Sequence, residues 1–110
     1  MVFIESHEFS RSISRFSDLD YAGFQRDLAA DPDSGDVMQG CGGFRKARMA
    51  FPSVGIGKSG GARVIYLHIP EKSRIYLVYM YGKSSKSNLT KAECNALRQI
   101  AGQIRSAADA

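Results

Sequence analysis

At 110 residues with a formal net charge of +4, the chain has length enough for one hydrophobic core and no second, so residues 1–110 are read as a single domain. Its 44% apolar and 24% charged composition speaks against wholesale disorder. No apolar run is long enough for a transmembrane helix, and Met1-Val2-Phe3-Ile4-Glu5, which meets acid after three apolar residues, does not read as a signal peptide.

The distribution of charge says more than its sum. Residues 1–36 carry −5, residues 37–91 carry +9 and the remainder balances. From Arg45 to Lys91 the only acid is Glu71, against ten lysines and arginines. Such segregation gives a small domain one anion-attracting face, and a phosphate-rich polymer, RNA, is the expected partner. Cys41 and Cys94 stand alone, without a CxxC or a histidine at ligand spacing, and read as free thiols of a reducing cytoplasm. No metal site or cofactor is expected.

In chain order, Val2-Phe3-Ile4 is a short strand, at an edge or central. Phe9, Ile13 and Phe16 share one helical face, and a second helix capped at Ser17-Asp18 repeats it with Tyr21, Phe24 and Leu28. Asp31-Pro32 ends that helix, because the residue before proline is pushed out of the α region. Val37 to Gly43 is a connector. Phe44 to Phe51 reads as a strand with Lys46 and Arg48 on one face and Arg45, Ala47 and Met49 on the other. Phe51 to Gly61 is a glycine-rich loop that runs into a strand from Arg63 to Ile69, and Pro70 to Ser73 turns it back into Arg74 to Tyr81. Both strands are apolar on both faces, which places them centrally in a sheet with helices packed on one side. Gly82 to Asn88 is a polar loop. Thr90-Lys91-Ala92-Glu93 is a capping box with Leu89 and Cys94 at the staple positions, and the helix behind it carries the stripe Leu97, Ile100, Ala101, Ile104, with the tail from Ser106 expected to fray.

The chemistry suggested is cationic. Lys46 and Arg48 project side by side from one strand, Arg63 sits where the glycine loop enters the next, and Lys83 follows the last. Clustered arginine and lysine can stabilise a pentavalent phosphorane directly, which permits RNA cleavage through the 2′-hydroxyl without a metal. His68 alternates with Tyr66 and Val64 and reads as a structural histidine; Tyr81, beside Gly82, is the tyrosine best placed to stack on a base.

Four stretches in order carry a resemblance: Gly42-Gly43-Phe44-Arg45-Lys46-Ala47-Arg48, then Gly57-Lys58-Ser59-Gly60-Gly61-Ala62-Arg63-Val64-Ile65-Tyr66, then Tyr81-Gly82-Lys83, then a lysine-bearing loop before Leu89-Thr90 and the capped helix. Together they resemble the RelE/HigB-type toxins of type II toxin–antitoxin modules, in the RelE/ParE superfamily. The resemblance implies an α+β fold: two N-terminal helices on a curved, mainly antiparallel sheet, with a C-terminal helix. It implies ribosome-dependent, metal-independent cleavage of mRNA in the cytoplasm, contact with ribosomal RNA, and neutralisation by a cognate antitoxin of the HigA-like, helix-turn-helix kind. On this pattern Lys46, Arg48, Arg63 and Lys83 are the catalytic candidates, and Arg45, Lys58, Lys86 and Tyr81 the RNA contacts. Ser84 and Leu89 depart from it, standing where some members carry arginine and tyrosine. The competing readings are a ParE-like toxin that poisons a protein such as gyrase, and a plain RNA-binding module.

Overall fold

A computed structural model describes residues 1–83 and 88–109. The elements are β1 (Val2–Glu5), α1 (His7–Ile13), α2 (Asp18–Ala30), β2 (Asp36–Val37), β3 (Arg45–Met49), β4 (Ala62–Ile69), β5 (Arg74–Gly82) and α3 (Lys91–Asp109). The strands form one sheet in the order β1-β5-β4-β3-β2; β1 runs parallel to β5 and the other pairs are antiparallel. The doubly apolar strands β4 and β5 are central, and β1 is an edge.

Local chemistry sets the helix starts. The Ser6 hydroxyl accepts from the Phe9 N–H (3.0 Å) and donates to the Val78 carbonyl (2.7 Å), which caps α1 and pins its start to β5. Ser17 caps α2 through the N–H groups of Leu19 and Asp20. In α3, Thr90 Oγ1 accepts from the Glu93 N–H (3.1 Å) while the Glu93 carboxylate accepts from the Thr90 N–H (2.8 Å), completing the capping box.

Helices cover both faces of the sheet, not one. Phe9 and Ile13 of α1 and Phe24 and Leu28 of α2 pack on Ala47, Met49, Val64, Tyr66, Ile75 and Leu77. On the opposite face Leu97 and Ala101 of α3 pack on Phe44, Ile65, Leu67, Ile69 and Tyr81. An inner strand that is apolar on both faces needs two covers, and the sheet uses the N-terminal pair for one and α3 for the other. Between Ile65 and Tyr66 the β4–β5 register shifts: Ile65 faces Tyr79, Tyr66 faces Leu77, and Val78 is the extra residue of a bulge. Tyr79 and Tyr81 therefore share the α3 side of the sheet with Arg63 and Ile65.

Further readings are corrected. Cys41 and Cys94 are bridged, not free: 53 residues apart in sequence, their Cα atoms lie 4.8 Å apart, within disulfide reach. Spacing along the chain could not show this, because the approach is made by α3 docking on the connector. There Arg105 Nη1 donates to the Gly42 carbonyl (2.7 Å), and a Cβ at Gly42 (φ +74°) would lie 2.9 Å from the Ala101 Cβ, so only glycine lets the helix come so close. The last helix also runs to Asp109, past Ser106, where the sequence predicts fraying. The connector also begins in the sheet, as the two-residue strand β2, too short to show a period. The loop before β4 is folded into two 3₁₀ turns, Pro52–Val54 and Lys58–Gly60, and the Asp20 carboxylate holds the first by accepting from the Ser53 N–H and hydroxyl.

Candidate functional site

The strand register assembles the cations. Pairing of β3 with β4 sets Arg48 directly opposite Arg63 and Lys46 opposite Ile65, so all three belong to the α3 side of the sheet. Pairing of β4 with β5 sets Arg63 opposite Tyr81. The Lys83 N–H then donates to the Gly61 carbonyl (3.3 Å), which brings Lys83 beside the entry of β4. Lys58 lies in the 3₁₀ turn just before, and its carbonyl accepts from Arg63 Nη1 (3.4 Å), steering the guanidinium toward that turn. Five of the eight sequence candidates thus meet at one end of the sheet.

Glycine makes the convergence possible. A Cβ on Gly61 would run into the carbonyl oxygen of Met49, so the entry of β4 can pass the end of β3 only without a side chain. That passage puts Arg63 level with Arg48. Like charges directly opposed on neighbouring strands are destabilising, and directly opposed Cβ atoms stand only about 4.5–5.5 Å apart. Among the described residues no carboxylate forms an ion pair with Lys46, Arg48, Lys58, Arg63 or Lys83; the two ion pairs seen involve Arg45 and His68. Arg48, Lys58 and Lys83 are exposed, while Lys46 and Arg63 are half-buried. Asp36 of β2 faces Lys46 in the register, whereas Arg48 and Arg63 face each other; crowded cations of this kind attract an anion, and arginine favours the planar, two-point geometry of phosphate. Lys46, Arg48 and Lys58 also line a groove of about 780 Å³ against α2, where Asp20, Asp27 and Asp31 oppose them.

Of the remaining candidates, Tyr81 lies opposite Arg63 but is buried, and Arg45 stands elsewhere. Arg45 faces the opposite side of the sheet, level with Tyr66. Its Nη1 donates to the carbonyls of Asp33 and Gly35 (2.9 Å each), and its Nε lies 3.7 Å from the Asp33 carboxylate, so it staples the turn after α2. Tyr81 is 7% exposed and packs in the α3-side core, 5.9 Å from the Tyr79 ring. Lys86 lies outside the described residues. His68 Nδ1 pairs with Asp33 Oδ1 at 2.9 Å, in keeping with a structural histidine. That hydrogen bond, reinforced by the charges of His68 and Arg45, holds the Asp33 carboxyl below its usual range. The Tyr66 hydroxyl donates to the Pro32 carbonyl (2.7 Å) and accepts from the Gly35 N–H (3.0 Å), and burial pushes its phenol up.

Phe16 escaped the sequence reading. Its spacing from Phe9 and Ile13 marks it as core, yet α1 ends at Ile13, and Phe16 is 40% exposed on the far side of that end. The Ser14-Arg15-Phe16-Ser17 stretch, polar and already carrying the next cap, was the available signal.

Among known families, the model described as the RelE toxin of the RelE/RelB toxin–antitoxin system matches residues 29–110. The match spans the whole cationic cluster, the β3–β5 sheet and α3, and leaves out β1, α1 and most of α2. With most of its length matched, and with the α+β architecture that the motifs imply, this chain belongs to the RelE family of toxins of toxin–antitoxin systems.

Proposed function

We propose that this toxin is an endoribonuclease that cuts mRNA on the ribosome by transesterification through the RNA 2′-hydroxyl. The observation that carries the reading is the direct opposition of Arg48 and Arg63, flanked by Lys46 and Lys83, with no carboxylate partner among the described residues. In the reaction the 2′-hydroxyl gives its proton to solvent as its oxygen attacks the adjacent phosphorus, and the 5′-oxygen leaves and takes up a proton, giving a 2′,3′-cyclic phosphate and a free 5′-hydroxyl. Negative charge grows on the non-bridging oxygens in the phosphorane. Arg63, directed by the Lys58 carbonyl, holds the scissile phosphate; Arg48 and Lys46 stabilise the added charge, in the role otherwise given to a metal ion. Lys83 and Lys58 add charge and are the available groups for proton transfer to the leaving oxygen. Arginine contributes only as a donor, because it does not deprotonate in proteins.

The same exposed cations dock on ribosomal RNA through phosphates, so association should weaken steeply with salt. The site of action is the cytoplasm, where translating ribosomes are. The antitoxin partner is of the HigA-like, helix-turn-helix kind, with an acidic segment that meets the basic face.

The test is primer extension on a reporter mRNA in a purified translation system, with and without ribosomes, comparing wild type with Arg63→Ala. Cuts that need ribosomes and vanish with Arg63→Ala are the expected result. Intact message in every lane would overturn the reading and turn attention to a protein target such as gyrase.

A further inference from the structure

A second surface adjoins the cationic cluster. Strand β1 pairs with β5 only as far as Glu5 opposite Leu77, so among the described residues no strand lies beside the outer side of β5 from Tyr79 onward. A cavity of about 580 Å³, within the size range of small-ligand sites, opens there and is lined by Phe16, Phe51, Ile56, Tyr79, Arg15 and Lys83, among others. Among the described residues no acidic side chain lines it. The Phe16 ring is 40% exposed and stacks on Phe51 with centroids 4.5 Å apart and planes 15° from parallel; Phe51, 7% exposed, belongs to the core. Ile56 and Val54 beside it are 38% and 69% exposed. Phe16 is thus a surface aromatic ring backed by a fixed one.

Solvent exposure of an aromatic face is unfavourable without a partner to cover it, and the partner must also suit two cations and no acid. A nucleotide meets both demands: its base has a π-face for Phe16, and its phosphate suits Arg15 and Lys83. An acidic peptide would satisfy the cations but leave the flat ring without a matching plane. Lys83 is common to this cavity and the cationic cluster, so the two surfaces are continuous. We propose that the cavity is a base-stacking subsite, in which one unstacked base of single-stranded RNA, next to the nucleotide held at Arg63, lies on Phe16 with its phosphate between Arg15 and Lys83. The proposal rests on the RNA-cleaving reading and extends it to a residue outside the matched family segment.

The test uses a short, uncleavable 2′-O-methyl RNA, labelled for fluorescence anisotropy, with single abasic positions moved along it. Wild type should lose about tenfold in affinity when one particular base is missing, as expected for one stacked base. Phe16→Leu, which keeps an apolar side chain over Phe51, should lose about the same on intact RNA and become indifferent to that abasic position. Phe16→Tyr should behave as wild type. Arg15→Gln, which leaves the core untouched, should weaken binding uniformly along the series and reduce its salt dependence by about one ion. If Phe16→Leu binds and discriminates as wild type while Arg63→Ala is weakened, the subsite is wrong and the RNA reading stands. If Phe16→Leu loses only its grip on a co-purified protein partner, the cavity is a protein-docking surface and the proposal fails. If wild type neither binds RNA nor cuts message on ribosomes, both readings fall together.

Discussion

Opening the Cys41–Cys94 bridge should lower stability more than any single surface change in this chain. The bridge joins residues 53 apart, and a closed loop of that length restricts the unfolded chain by about 4 kcal/mol on the chain-entropy account. At this chain length about 1 kcal/mol corresponds to roughly 4 °C in Tm, so the midpoint should fall by up to about 15 °C. The loss should be local first. Cys94 lies in the first turn of α3, and without the bridge that helix is held on the sheet by Leu97, Ala101 and the Arg105–Gly42 hydrogen bond. Thermal unfolding followed by circular dichroism, with and without a phosphine reductant and beside a Cys41→Ala/Cys94→Ala variant, measures the effect. Hydrogen exchange should show α3 amides losing protection ahead of β4 and β5. Equal midpoints for oxidised and fully reduced protein would refute the reasoning, because docking of α3 alone would then account for the stability. Two titratable thiols in the unreduced protein would refute the bridge itself.

Replacing Arg48 by threonine should relieve its opposition to Arg63 and raise stability by about 0.2–1 kcal/mol, while message cleavage falls sharply; a loss of both would mean that Arg48 is structural. Gly61→Ala should destabilise by more than about 2 kcal/mol in urea unfolding, because its Cβ meets the Met49 carbonyl; a neutral result would show that the entry of β4 is not held there. The folded Asp33 carboxyl lies below its unfolded value, so its stabilising effect is present above the usual aspartate range and disappears as pH falls through the folded value. Asp33→Asn should accordingly flatten the acid limb of the stability curve below about pH 4, and an unchanged limb would count against the His68 pairing. Tyr66 and Tyr21 are both raised, Tyr66 by burial and Tyr21 by burial and then by its hydrogen bond to Glu5. Their favourable contribution holds below the usual tyrosine range and is lost as pH rises through the folded values. Tyr21 and Tyr66 should therefore ionise late in an ultraviolet titration, close to alkaline unfolding, and ionisation of both within the ordinary tyrosine range would contradict their burial.

What the sequence by itself determined is what short-range chemistry encodes. The β4–β5 hairpin follows from two β-branched and aromatic runs around Pro70, the ends of α2 from Ser17 and Asp31-Pro32, and the start of α3 from a reciprocal cap three residues long. Alternation along β3 separated Lys46 and Arg48 from Arg45, and the glycine loop marked Arg63 at a strand entry. Only the tertiary structure decided what these side chains meet. Arg48 faces Arg63 because a strand register and a side-chain-free Gly61 place it there; Arg45, its neighbour but two, is drawn off to Asp33 by a turn from another element. The two cysteines join, and the sheet gains a cover on its second face, because α3 folds back over residues read as a mere connector. Phe16 has the spacing of a core residue and becomes a surface ring because α1 stops at Ile13. Periodicity and caps act within a few residues and can be read along the chain, whereas pairing, docking and exposure arise between segments far apart in it and exist only once the chain has closed on itself.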